Sequence, residues 1–141
     1  MKPKVYLTRK FHFCAAHRVY NPTWSEEKNR EVFGPCSHVH GHGHNYELEV
    51  TVVGTPHPDT GYVMDIGQLR QIVESSLIQW VDHRNLNVDV PFLADQIPSS
   101  ENLIVAFWNQ LRLHLPPGVE LFRLRLWETP RNCFEYYGEA L

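Results

Sequence analysis

Four histidines stand at alternate positions in the run Cys36-Ser37-His38-Val39-His40-Gly41-His42-Gly43-His44-Asn45-Tyr46, with a thiol just upstream. Imidazole is the commonest protein ligand for a metal. Side chains two apart on an extended chain face the same way, so His42 and His44 can converge on one ion. Three imidazoles with a fourth position open describe a catalytic zinc site; nickel, iron and copper satisfy the same donor type. Two registers fit the run: His40 with His42, or His42 with His44. The second is favoured because His44 abuts a strand-like segment whose pairing fixes its direction. His40 lies further out, where the glycines flanking His42 give less restraint. The third candidate ligand is His17. Cys36 is the candidate base or nucleophile, because Gly34-Pro35 and Ser37 give it a loop-like setting and a nearby cation favours thiolate. Cys14 and Cys133 fall within strands and read as core residues.

These groups need elements to hold them. From Val5 to His17 the odd positions are mostly apolar (Val5, Leu7, Phe11, Phe13, Ala15), which predicts a half-buried strand with His17 on its inner face. Tyr46, Leu48, Val50 and Val52 alternate with polar residues in a second strand, and His42 and His44 share the parity of its apolar side. Residues 18–33 are polar and aperiodic and read as a long loop. Gly54 to Gly61 is a turn region. Asp65 with Gln68 resembles a capping box, and Leu69, Ile72, Val73, Leu77 and Trp80 follow at helical spacing. Pro98-Ser99-Ser100-Glu101 starts a second helix, whose apolar face runs from Leu103 to Leu115 before Pro116-Pro117-Gly118. Leu121 to Glu128 alternates again, and Phe134 to Tyr137 is short and aromatic. Strand, strand, helix, helix, strand, strand predicts an α+β domain with the helices on one face of an antiparallel sheet.

Two further acids stand out. Asp82-His83 follows the first helix, although sequence neighbours usually point apart. Glu128 shares the parity of Phe122, Leu124 and Leu126, so a carboxylate ends an apolar strand face. Such an acid needs a partner, either a ligand with a guanidine-like edge or a strand-end salt bridge.

Composition bounds the rest. The chain has 141 residues, 43% hydrophobic and 21% charged, with a formal net charge of −3. It reads as a single domain over residues 1–141, able to bury a core. No basic stripe points to nucleic acid, and no apolar stretch approaches a membrane span. Met1-Lys2-Pro3-Lys4-Val5-Tyr6 lacks the apolar core of a signal peptide. Three cysteines form no paired framework. A cytoplasmic protein with free thiols is expected.

Taken together, Phe13-Cys14-Ala15-Ala16-His17, Phe33-Gly34-Pro35-Cys36 and Gly41-His42-Gly43-His44-Asn45-Tyr46 resemble the 6-pyruvoyl-tetrahydropterin synthase and 6-carboxytetrahydropterin synthase family. The likeness continues through Thr60-Gly61-Tyr62-Val63-Met64-Asp65, Asp82-His83-Arg84-Asn85-Leu86, Ser99-Ser100-Glu101-Asn102 and Trp127-Glu128-Thr129. It implies a T-fold: a four-stranded antiparallel sheet with two helices, whose subunits form barrels and commonly stack as a homohexamer. It implies Zn2+ on His17, His42 and His44. Cys36 would be the proton-abstracting base, with Asp82 and His83 as its catalytic partners. Glu128 would anchor the pterin ring, helped by Ser99, Ser100 and Glu101. The implied substrate is 7,8-dihydroneopterin triphosphate.

Two products fit the resemblance. The pyruvoyl synthase of tetrahydrobiopterin biosynthesis loses triphosphate and tautomerises the side chain. The carboxy synthase of queuosine biosynthesis also releases acetaldehyde. Cys36 precedes His42-Gly43-His44 by the longer spacing of the pyruvoyl enzymes, yet it precedes His40-Gly41-His42 by the shorter one. The pyruvoyl reading is preferred. A non-catalytic zinc or pterin-binding module and a metal-free cysteine hydrolase built on Cys36, His83 and Asp82 are the readings from other classes.

Overall fold

The computed structural model describes residues 2–139. Two long strands, β1 (Val5–His17) and β2 (His42–Gly54), form the centre of the molecule. They pair antiparallel from Val5–Gly54 through to His17–His42. This register sets the apolar odd residues of β1 and the apolar even residues of β2 on one face, because strand side chains alternate. The helices α2 (Ile66–Val73) and α4 (Ser100–Leu111) cover that face. Phe13 stacks on Tyr46 with centroids 4.7 Å apart, and Phe107 of α4 meets Phe13 edge-on at 5.8 Å. All three rings are fully buried.

The sheet has five strands in the order β3-β1-β2-β4-β5, one more than expected. The extra member, β3 (Arg84–Asn85), lies parallel to β1 at Ala15 and Ala16. It covers only that end of the β1 edge. Strands β4 (Glu120–Thr129) and β5 (Asn132–Tyr136) complete an antiparallel hairpin on the other side of β2.

Several elements depart from the sequence reading, each for a local reason. The expected loop over 18–33 contains α1 (Glu26–Phe33). Ser25 caps it by accepting from the Lys28 N–H, Glu26 and Glu27 occupy its first turn, and Gly34 ends it at φ 61°. These are ordinary start and stop signals. The helix has little apolar periodicity, and its one buried residue is Asn29.

Trp80 is 45% exposed and leaves the expected apolar face. A π-helical turn over Glu74–Ile78 joins α2 to the short α3 (Gln79–Val81) and rotates the later positions, so Ile78 and Val81 are buried instead. Asp65 caps α2 through the Gly67 N–H, not through a reciprocal bond with Gln68. Helix α4 stops at Leu111, four residues before Leu115. Phe122 lies off the Leu124–Leu126 face, because the β2–β4 register shifts between Thr51 and Val52 and a bulge reverses side-chain direction. Phe122 packs edge-on against Tyr6 at 4.5 Å. Cys14 and Cys133 are half-buried, not core. Cys14 has the even parity of Lys10 and His12, and its thiol donates to Asn45 Oδ1 at 2.9 Å.

Candidate functional site

The shared end of β1 and β2 brings three imidazoles together. His17 and His42 are register partners, and His44 follows two residues later on the same face. Their ligand atoms all lie within 4.8 Å of one another. His40 is not part of the group, so the converging atoms are those of the His42–His44 register. Gly41 makes the close turn into β2 possible. It holds φ 72°, and a Cβ there would stand 2.9 Å from the His17 carbonyl oxygen.

The polar atoms around the triad are informative. His17 is buried, and its Nδ1 donates to the Pro98 carbonyl at 2.8 Å. That bond places the proton on Nδ1 and leaves Nε2 with a free lone pair, the arrangement seen around metal-ligating histidines. Nε2 faces His42 Nε2 at 3.0 Å. His44 Nε2 is buried without a hydrogen-bond partner. Burial lowers the pKa of both His17 and His44, with the neighbouring imidazoles adding to the effect. Neutral imidazoles with converging lone pairs, one of them orphaned, fit a divalent cation of the zinc class.

Glu128 closes this site at the end of β4. Ser100, buried in the first turn of α4, donates its hydroxyl to Glu128 Oε2 at 2.6 Å. The same oxygen is 4.0 Å from His17 Nε2. Because His17 is neutral, that approach is proximity and not an ion pair. One short segment therefore serves two groups: Pro98 orients His17, and Ser100 orients Glu128. Ser99 is spent on capping α4, accepting from the Asn102 N–H. Glu101 is exposed in the first turn.

Asp82 and His83 do meet, despite being sequence neighbours. His83 holds φ 59°, a left-handed conformation uncommon for a residue with a side chain. Its N–H donates to the Cys14 carbonyl at 2.6 Å. This turn brings His83 Nδ1 to 3.0 Å from Asp82 Oδ1. Burial alone would raise the Asp82 pKa, but the Cys14 N–H, at 2.9 Å, and His83 outweigh it and hold the carboxyl below its usual range. The pair sits on the outer edge of β1, and His83 is 80% exposed. A cavity of about 470 Å³ opens there, lined by Cys14, His44, Asn45 and His83 among others. A second cavity of about 630 Å³ adjoins it at Gly43–Asn45 and reaches Glu128, Lys10 and His12.

Cys36 is exposed in the 3-10 turn Gly34–Ser37. Among the described residues no hydrogen bond or ion pair joins its thiol to Asp82 or His83. The structure thus unites His17, His42, His44, Ser100 and Glu128 in one group and pairs Asp82 with His83 in another. Sequence reasoning missed the Pro98 carbonyl and the Cys14 N–H, since backbone groups carry no signature in the side-chain code.

The 6-pyruvoyl tetrahydropterin synthase family matches residues 6–139. The chain is 43% identical to the 6-pyruvoyl tetrahydrobiopterin synthase of Pongo abelii over 133 residues, covering 94% of this chain and 91% of the relative. It is 41% identical to the Homo sapiens protein of the same name over the same shares. The solved structure of Caenorhabditis elegans 6-pyruvoyl tetrahydropterin synthase superposes with a TM-score of 0.90 at 35% identity, over 98% of each chain. Sequence and fold agree across nearly the full length, and the chain belongs to the 6-pyruvoyl tetrahydropterin synthase family.

Proposed function

We propose that the protein is a zinc-dependent carbon–oxygen lyase that converts 7,8-dihydroneopterin triphosphate to 6-pyruvoyl-tetrahydropterin with release of triphosphate. The observation that carries this reading is the shared site of three converging imidazoles and the Ser100–Glu128 pair, in a chain similar to named pyruvoyl synthases. A zinc ion on His17, His42 and His44 would supply Lewis acidity toward the substrate's side-chain oxygens. Every other role falls to the chain's own groups.

Glu128 would accept two parallel hydrogen bonds from the adjacent N–H and NH2 of the pterin, a match of shape and charge. Ser100 holds that carboxylate in place. Ser99 and Glu101 would act from the rim, through contacts made only with substrate bound. The Cys36 thiolate would take a proton from the substrate side chain, and Asp82–His83 would receive or return it. The departing triphosphate carries away its C–O bonding electrons, and the remaining change is a tautomerisation. No external oxidant and no water is consumed, which suits a site without a further cofactor-binding motif.

Among the described residues no hydrogen bond or ion pair joins Cys36 to Asp82–His83, and β3 covers only the Ala15–Ala16 end of the β1 edge. The remaining edge is open to pairing with another copy. Both features support a homo-oligomer, the barrel-forming hexamer of the resemblance, in which Cys36 of one subunit works with Asp82–His83 of another. The three free thiols support a reducing compartment such as the cytoplasm. Among the described residues no helix is long and apolar enough to cross a membrane.

Incubating the zinc-loaded protein with 7,8-dihydroneopterin triphosphate and identifying the products by mass spectrometry tests the reading. Equal amounts of pyruvoyl product and triphosphate are expected. Release of acetaldehyde would instead assign the carboxy synthase reaction. Binding without turnover would assign a pterin-binding module.

A further inference from the structure

The His17–His42–His44 triad uses only half of the histidine run, and the other half is organised too. His38 and His40 are exposed on the turn leading into β2. Their ring centroids are 5.6 Å apart with planes inclined at 45°. Within the triad the corresponding separations are 4.6, 5.1 and 4.8 Å. The His40 N–H donates weakly to His38 Nδ1 at 3.3 Å, a contact that an ion bound to that nitrogen would replace.

The turn is held from several sides. The His38 N–H donates to the Pro35 carbonyl at 3.2 Å, and the Gly41 N–H donates to the His38 carbonyl at 2.8 Å. Between them Ser37 is buried, with its carbonyl accepting from Arg18 Nε at 2.8 Å and its hydroxyl donating to the Gly34 carbonyl at 2.9 Å. Two imidazoles are therefore presented side by side on a tied backbone. Little ordering entropy remains to oppose chelation.

We propose that His38 and His40 form a second metal site, distinct from the His17–His42–His44 triad, that takes a late first-row divalent ion exchangeably at the surface. Two imidazoles with open positions and no anionic ligand favour Cu2+ over Ni2+ and Zn2+ by the general order of affinities. The remaining positions face solvent, so the ion would be held weakly and given up readily.

Copper uptake tests this on tag-free, full-length protein first supplied with Zn2+. Cu2+ is titrated while nitrogen coupling is followed by electron paramagnetic resonance and released zinc is measured with a chromophoric chelator. One copper per chain is expected with the zinc retained. His38→Ala and His40→Ala should each weaken that uptake roughly tenfold or more, because a chelating pair becomes a single ligand. His57→Ala, at an exposed histidine elsewhere, should not. Copper uptake matched throughout by zinc release, or unchanged in both loop variants, would overturn the proposal.

Discussion

The His17–Glu128 centre and the Asp82–His83 edge are built on opposite principles. The centre is assembled within one chain, on the helix-covered face, with His17 held by the Pro98 carbonyl and Glu128 by Ser100. The edge joins an exposed His83, on a left-handed backbone, to a half-buried Asp82. Binding groups gain from being fixed and dry, because a rigid donor set costs little to organise around a ligand. The proposed proton-transfer pair instead lies beside an edge of β1 that β3 covers only at Ala15 and Ala16.

The contrast can be broken at the centre first. His17→Ala should abolish stoichiometric metal binding and also lower stability, since it empties a buried position; metal analysis after gel filtration and thermal unfolding measure both. His83→Ala should leave metal content and the melting temperature nearly unchanged while turnover is lost. A variant pair that behaved alike in all three assays would erase the distinction.

Glu128→Gln sharpens the division inside the centre. It keeps the shape but removes the charge that accepts from the pterin, so calorimetry should show a product analogue bound roughly tenfold or more weaker, with zinc retained. Cys36→Ala should bind the analogue as wild type does and lose turnover. Equal analogue affinity in Glu128→Gln and wild type, with only the rate reduced, would move Glu128 among the proton-transfer groups.

Gly41→Ala acts on the frame between the regions. The added methyl meets the His17 carbonyl at 2.9 Å in a backbone conformation unfavourable for alanine. A loss of about 1–3 kcal/mol in denaturant unfolding is expected, together with weaker metal binding.

The smallest effect is on pH. His17 and His44 have folded-state pKa values below the ordinary 6.5, so below about that pH the unfolded chain binds protons that the folded chain refuses. Stability of the metal-free protein should therefore be fully present above pH 6.5 and fall as acid is added through the folded values. Unfolding midpoints across that range, compared with His17→Gln, give the sign.

The centre was largely legible in the sequence because it is written in strand parity. His17, His42 and His44 share faces with Phe13, Ala15 and Tyr46, and pairing carries that alternation into space. The parts that were not legible depend on departures from regular geometry. A bulge turns Phe122 over, and a π-helical turn moves Trp80 outward. A positive φ at His83 brings together two neighbours that normally diverge. Helix α1 escaped because its capping signals precede a segment with almost no apolar face. The absence of a bond between Cys36 and Asp82–His83 was not legible either, because residue types name chemical partners without fixing their positions.

The division between the two regions is tested most directly by complementation. Cys36→Ala and His83→Ala are produced separately and also co-expressed, and triphosphate release from 7,8-dihydroneopterin triphosphate is measured for each preparation. The account predicts two inactive parents and a co-expressed assembly that recovers substantial activity, from sites combining an intact Cys36 and an intact His83 from different subunits. A co-expressed, properly mixed assembly as inactive as its parents, beside a fully active wild type, would contradict it.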